Sequence, residues 1–137
     1  MTEGIPFELA WRGNVWRARW LEEKLTVEVG GTEEAPAAAL LDTLRDVVTR
    51  WPAVKETIAT YVRGLASEHH VPLDPATIGG FAARSCGFDQ ELWYQGFSVD
   101  APDRVEVIFY TGYPDGYATY SIILEHGVPT EVSAFAS

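Results

Sequence analysis

A chain of 137 residues has the size of one domain, and an apolar fraction of 47% is enough to form a core. The net charge of −10 disfavours nonspecific nucleic-acid binding, because phosphate backbones would be repelled at long range. No apolar run approaches the roughly 18 residues that a membrane span requires. The first residues also lack the basic and apolar regions of a signal peptide. We therefore expect one cytoplasmic domain, 1–137, that binds neither nucleic acid nor membrane.

The N-terminal part alternates between apolar and polar residues, which is the period of β-strands. Residues 5–12, 15–20 and 25–29 each follow this pattern, and Gly13-Asn14 is suited to a turn between the first two. Gly30-Gly31 ends the third run. The pattern predicts a three-stranded antiparallel unit.

The middle of the chain changes to a helical period. Thr32 is a candidate N-cap and Pro36 suits a first helical turn, while Pro52 should end or kink the helix near Trp51. One apolar stripe precedes Pro52 and a second follows it, at Val54, Ile58, Tyr61, Val62 and Leu65. Two amphipathic helices with one apolar face each predict packing against one face of a sheet.

The C-terminal part returns to strands. Residues 91–99, 104–111, 117–125 and 130–135 read as strands joined by short turns, and 78–88 is ambiguous because its glycines weaken any strand. Short connections predict an antiparallel meander of four to five strands. The fold class is therefore α+β.

Few residues suggest chemistry. His69 and His70 are adjacent, so on a helix they point about 100° apart and do not easily share one metal ion. Cys86 lacks the context of a nucleophile, and a lone cysteine forms no internal disulfide. We predict no metal, no cofactor and no catalytic residue. The alternative is a small hydrolase or ligand-binding enzyme that uses Asp115, Glu125 and His126 as an acid–base group.

Aromatic residues concentrate in the C-terminal meander. In the strand over 91–99, alternation sets Tyr94 and Gly96 on one side and Trp93 and Phe97 on the other. Apolar groups on both sides indicate either a covered second face or an exposed binding patch.

The final hairpin and the order of elements resemble a known group of proteins. A hydrophobic strand, Ile122-Ile123-Leu124-Glu125-His126-Gly127, runs through a His-Gly turn into a last strand at 128–135. This layout is similar to small bacterial domains of uncharacterised function, some of them grouped with immunity proteins of polymorphic toxin systems. The resemblance implies a protein partner and no chemistry, and it transfers no site residue.

Acidity, aromatic surplus and missing catalytic motifs together favour a non-enzymatic protein-binding module that neutralises a basic partner. The candidate partner-binding residues are Asp42, Asp46 and Glu56 on polar helix faces and Trp93, Tyr113 and Tyr117 as aromatic anchors. Besides the enzyme, a third interpretation is a structural or accessory domain, which forms a homodimer through an edge strand or the aromatic face.

Overall fold

The computed structural model describes the backbone of residues 5–69, 93–113 and 116–135, and the side chains of residues 5–62, 94–110 and 119–132. The strands are β1 (Ala10–Trp11), β2 (Trp16–Trp20), β3 (Leu25–Val29), β4 (Trp93–Ala101), β5 (Arg104–Tyr113), β6 (Gly116–Glu125) and β7 (Val128–Phe135). The helices are α1 (Ala38–Thr49) and α2 (Trp51–His69). The predicted α+β class is confirmed in these residues.

All seven strands lie in one mixed sheet, in chain order from β1 to β7. Neighbouring strands are antiparallel except β3 and β4, which run parallel with Thr26 opposite Gly96 and Val29 opposite Val99. Parallel neighbours need a long connection, and α1 and α2 lie within it. The two predicted β units therefore form a single sheet that is larger than either of them.

Three tight turns set the register of the hairpins. Lys24, Asp103 and His126 have φ of 58°, 57° and 51°, a left-handed conformation that few side chains adopt readily. Gly127 follows His126 with φ of 78°. The turns hold β2 against β3, β4 against β5 and β6 against β7. Short turns were predicted for the last two of these hairpins.

The core lies between the helices and one face of the sheet. Alternate residues of the strands are buried there: Leu25, Val27, Val29, Phe97, Val99, Val105, Val107, Phe109, Tyr120, Ile122 and Leu124. The helices contribute Leu40, Leu44, Val47, Trp51, Ile58 and Val62. Trp51 lies at the centre, stacked on Phe97 at 5.4 Å and edge-on to Tyr94 at 5.5 Å between ring centroids.

The start of α1 differs from the expectation. Ala37 is the N-cap residue and makes no side-chain cap hydrogen bond. Thr32 and Ala35 instead bond to each other's backbone, and Gly31 bridges Pro36, so a tight turn precedes the helix. The expected interruption at Pro52 is confirmed, because α1 ends at Thr49 and Pro52 occupies the first turn of α2.

Two strand predictions are wrong in detail. Only Ala10–Trp11 of the first run pairs as a strand, although Phe7 before it is buried. In β4 a register shift between Tyr94 and Gly96 inserts one residue, so Tyr94 and Phe97 both contact the core instead of facing opposite sides. The ambiguous stretch 78–88 lies outside the described residues. Of the helices described, neither has the length and apolar character that a bilayer span needs.

Candidate functional site

The three candidate acids lie on exposed helix surface. Asp42 and Asp46 share the outer face of α1, and Glu56 is exposed on α2. Asp42 lies 3.1 Å from the guanidinium of Arg45, and Asp46 lies 3.6 Å from that of Arg50. These two arginines offset the negative charge of Asp42 and Asp46. Glu56, the third candidate acid, makes no ion pair with a described residue.

The three candidate aromatic residues lie at one end of the sheet. Trp93 opens β4 opposite Tyr110, Tyr113 closes β5 opposite Gly116, and Tyr117 of β6 pairs with Gly112. Their backbones are described and their side chains are not. The β4–β5 and β6–β7 turns lie at the opposite end of the sheet, near Asp46, so the structure does not bring Asp46 together with the three aromatic residues.

The sheet face away from the helices is polar over much of its described part. Arg17 donates from Nε to Glu28 at 2.8 Å, and Arg19 donates to the hydroxyl of Thr26 at 3.0 Å. Phe97 and Tyr120, two of the meander aromatics, lie in the core on the other face. Some of the aromatic residues that are concentrated in the meander are therefore core residues and not part of an exposed binding patch.

A cleft opens where the α1–α2 junction meets the β4–β5 and β6–β7 turns. We call it the helix–turn cleft; its volume is about 310 Å³. Its polar lining is Thr43, Asp46, Arg50, Thr57, Asp103 and His126, and its apolar lining includes Val47, Val54, Val105 and Leu124. The cleft thus combines carboxylates with an apolar floor, and it includes the candidate Asp46.

Asp103 is held in place at this cleft by its backbone. Its N–H donates to the hydroxyl of Thr43 at 2.9 Å, and its carbonyl accepts from the N–H of His126 at 2.8 Å. Thr43 is buried on α1, so the first bond ties the β4–β5 turn to the helix, while the second ties it to the β6–β7 turn. The carboxylate therefore projects from a fixed backbone.

His126 contacts Asp103, and not Asp115 or Glu125, with which the sequence grouped it. Its Nδ1 lies 3.7 Å from Oδ2 of Asp103, and the imidazole is 80% exposed. Glu125 lies 3.9 Å from Nε of Arg104, so the adjacent Glu125 and His126 contact different partners. Asp115 lies outside the described residues. The residues 101–103 predicted a turn, but nothing in that pattern indicated that Asp103 would face His126.

The described residues contain no group of three or more His, Cys, Asp and Glu side chains placed to hold a metal ion. The structure describes the backbone of α2 as far as His69. The side chain of His69, together with His70 and Cys86, lies outside what the structure describes.

Nothing matches this chain among protein-family models, curated proteins or solved structures. Its functional interpretation therefore depends on the geometry of its own residues.

Proposed function

We propose that this chain is a non-enzymatic protein-binding module of the immunity type, which neutralises a basic partner through an acidic surface. The helix–turn cleft carries the proposal, because one concavity offers carboxylates above an apolar floor. Arginine and lysine have the matching pair of parts, a hydrocarbon stem and a cationic head. A partner's side chain would lay its stem along Val54 and Leu124 and direct its head to Asp46 and Asp103.

Two features favour binding at this cleft. The backbone bonds of Asp103 to Thr43 and His126 order the turn before a partner arrives, which lowers the entropy cost of association. The pair of Asp46 and Arg50 is more than 60% exposed on both sides, so it is weak and a partner's cation can compete for the carboxylate.

The other candidates extend the proposed surface. Asp42 and Glu56 lie outside the lining of the cleft, on exposed surface of the same two helices, and supply long-range attraction that raises the association rate for a basic partner. Trp93, Tyr113 and Tyr117 form a second contact region at the opposite end of the sheet. A partner that spans the domain would reach both regions.

The acidic cleft is tested with two double variants of equal charge change. Asp46→Asn/Asp103→Asn removes both cleft carboxylates, and asparagine tolerates the positive φ at position 103. Asp42→Asn/Glu56→Gln removes two exposed acids outside the cleft. The probe is a short arginine-rich peptide, and titration calorimetry measures its dissociation constant at low and at physiological salt. At about 1 kcal/mol for each carboxylate that contacts the bound peptide, the cleft variant should bind about tenfold to thirtyfold more weakly. The control acids lie outside the cleft and act only at long range, so the control should lose about threefold at most.

An equal loss of affinity in both variants would show that net charge, and not the cleft, attracts the peptide.

Neutralisation of a toxic partner is tested separately. A basic protein is captured from the source cells with the unaltered chain and then expressed alone or together with it. We expect the captured protein to inhibit growth alone, and co-expression of the unaltered chain but not of the cleft variant to relieve this. Growth that is unaffected by the captured protein would remove the immunity role.

A further inference from the structure

A second cleft lies at the end of the sheet away from the helix–turn cleft. The β2–β3 turn, the first turn of α2 and the adjoining ends of β4 and β5 enclose a volume of about 640 Å³. We call it the cationic cleft, because Arg19, Lys24 and Lys55 line it and Glu23 is the one carboxylate among its described lining residues. Among the residues that the structure describes, the two clefts have no lining residue in common.

The one carboxylate of this cleft already has partners. Glu23 accepts a hydrogen bond from the indole N–H of Trp51 at 3.1 Å and lies 3.5 Å from Nζ of Lys55. Trp51 is buried beneath the cleft, so Glu23 is fixed against the core. Glu23 therefore offsets the charge of Lys55 and leaves that of Arg19 and Lys24 uncompensated.

Unpaired cations stand out against the charge of the chain. Five of the eight basic residues with described side chains make ion pairs with carboxylates: Arg17, Arg45, Arg50, Lys55 and Arg104. Arg12, outside the cleft, makes none with a described residue. Arg19 donates only to the hydroxyl of Thr26, and Lys24 has no carboxylate partner in the described part of the chain. In a chain of net charge −10, carboxylates are not scarce. Arg19 and Lys24 lie together in one cleft, where an external anion would neutralise both charges.

The walls of the cationic cleft are held in place without a ligand. Tyr94 donates its hydroxyl to the carbonyl of Lys55 at 3.1 Å, which joins β4 to α2. The bond from Arg19 to Thr26 keeps the guanidinium over the sheet, and the positive φ of Lys24 fixes the β2–β3 turn. The cationic groups therefore project from ordered backbone on three different elements.

We infer that the cationic cleft binds a small organic anion that carries phosphate or carboxylate groups. Arg19 offers the rest of its planar fork of N–H donors, which matches the oxygens of either group in pairs. Lys24 and Lys55 supply point charges on flexible stems. The volume accommodates a molecule of several linked anionic groups, larger than a single inorganic ion.

The test uses inorganic pyrophosphate and citrate as probes of the two chemistries, and a short poly-glutamate peptide as a third. Titration calorimetry at low salt measures affinity, and amide shifts of Thr26 and Lys55 locate the bound anion. Arg19→Gln/Lys24→Asn removes the two unpaired cations and keeps a residue that tolerates positive φ in the turn. Arg12→Gln/Arg45→Gln removes the same charge outside the cleft.

We expect saturable binding of pyrophosphate, citrate or both. The cleft variant should weaken it by at least about tenfold, and the control variant by no more than about threefold. The stronger of the two probes identifies the anionic group. Three results would overturn the inference: no saturation by either small anion, equal weakening in both variants, or saturation by the peptide alone. Because the two clefts share no described lining residue, this test and the peptide test of the helix–turn cleft fail independently.

Discussion

Gly96 joins the N-terminal and C-terminal parts of the sheet, and Gly96→Ala should be strongly destabilising. The residue lies in β4 opposite Thr26 of β3, the parallel pair. A Cβ atom at this position would lie 2.1 Å from the carbonyl oxygen of Thr26 and 3.1 Å from its carbonyl carbon. Carbon and oxygen atoms in contact lie about 3.3 Å or more apart, so the strands would have to separate by about 1 Å.

The cost follows from what that separation weakens. The partner atoms belong to backbone, which cannot rotate aside as a side chain would. Each ladder hydrogen bond between β3 and β4 contributes about 1 kcal/mol net, and overpacking adds about 1–3 kcal/mol. We expect Gly96→Ala to lower the free energy of unfolding by about 3 kcal/mol or more. Urea unfolding followed by tryptophan fluorescence measures it, because Trp20 and Trp51 are buried.

Gly30→Ala is the matched control. A Cβ there would meet Cδ1 of Leu40 at 3.1 Å and no backbone atom nearer than 3.9 Å. The tip of a leucine can move by a few tenths of an ångström, so the control should stay within about 1 kcal/mol of the unaltered chain. A Gly96→Ala variant as stable as this control would refute the assignment of β3 beside β4.

Two further substitutions test the core and the turn anchor by the same unfolding assay. Trp51→Phe should lower the free energy of unfolding by about 2–3 kcal/mol, because it replaces the indole in the core with a smaller ring and removes the N–H donated to Glu23. An unchanged unfolding midpoint would place this ring outside the core. Thr43→Val should cost about 1 kcal/mol, since it removes the hydroxyl that accepts the N–H of Asp103. Thr49→Val is its control, because Thr49 is exposed on the same helix, and it should change stability by less than about 0.5 kcal/mol. An equal loss in the two variants would argue against a stabilising bond between Thr43 and Asp103.

Local periodicity was sufficient to predict most of the described elements. The alternation in residues 25–29 and the helical stripe through Leu40, Leu44 and Val47 each reflect one buried face, and the structure buries those faces. Periodicity does not encode which strands become neighbours across a long connection. The parallel pairing of β3 with β4, which unites the two predicted β units, was therefore not foreseen.

Two errors have local causes, a one-residue bulge in a strand and a turn before a helix. The bulge between Tyr94 and Gly96 moves Tyr94 to the core side, and the turn at Thr32 and Ala35 delays the start of α1. The site depended on similar long-range placement. Asp46 was a candidate from its helix face, whereas Asp103 and Lys24 were not, because their roles arise only when separate turns meet the helices.

The parallel contact between β3 and β4 also has a consequence for how the chain is made. Thr26 and Gly96 are about 70 residues apart, a contact that closes late and slows folding. During synthesis, β3 can pair with β2, but the buried side chains of β3 and of the two helices lack the central strands until β4 and β5 emerge. The apolar surface of the N-terminal half therefore stays exposed to solvent during synthesis, and the fold becomes stable only when the C-terminal strands have been synthesised.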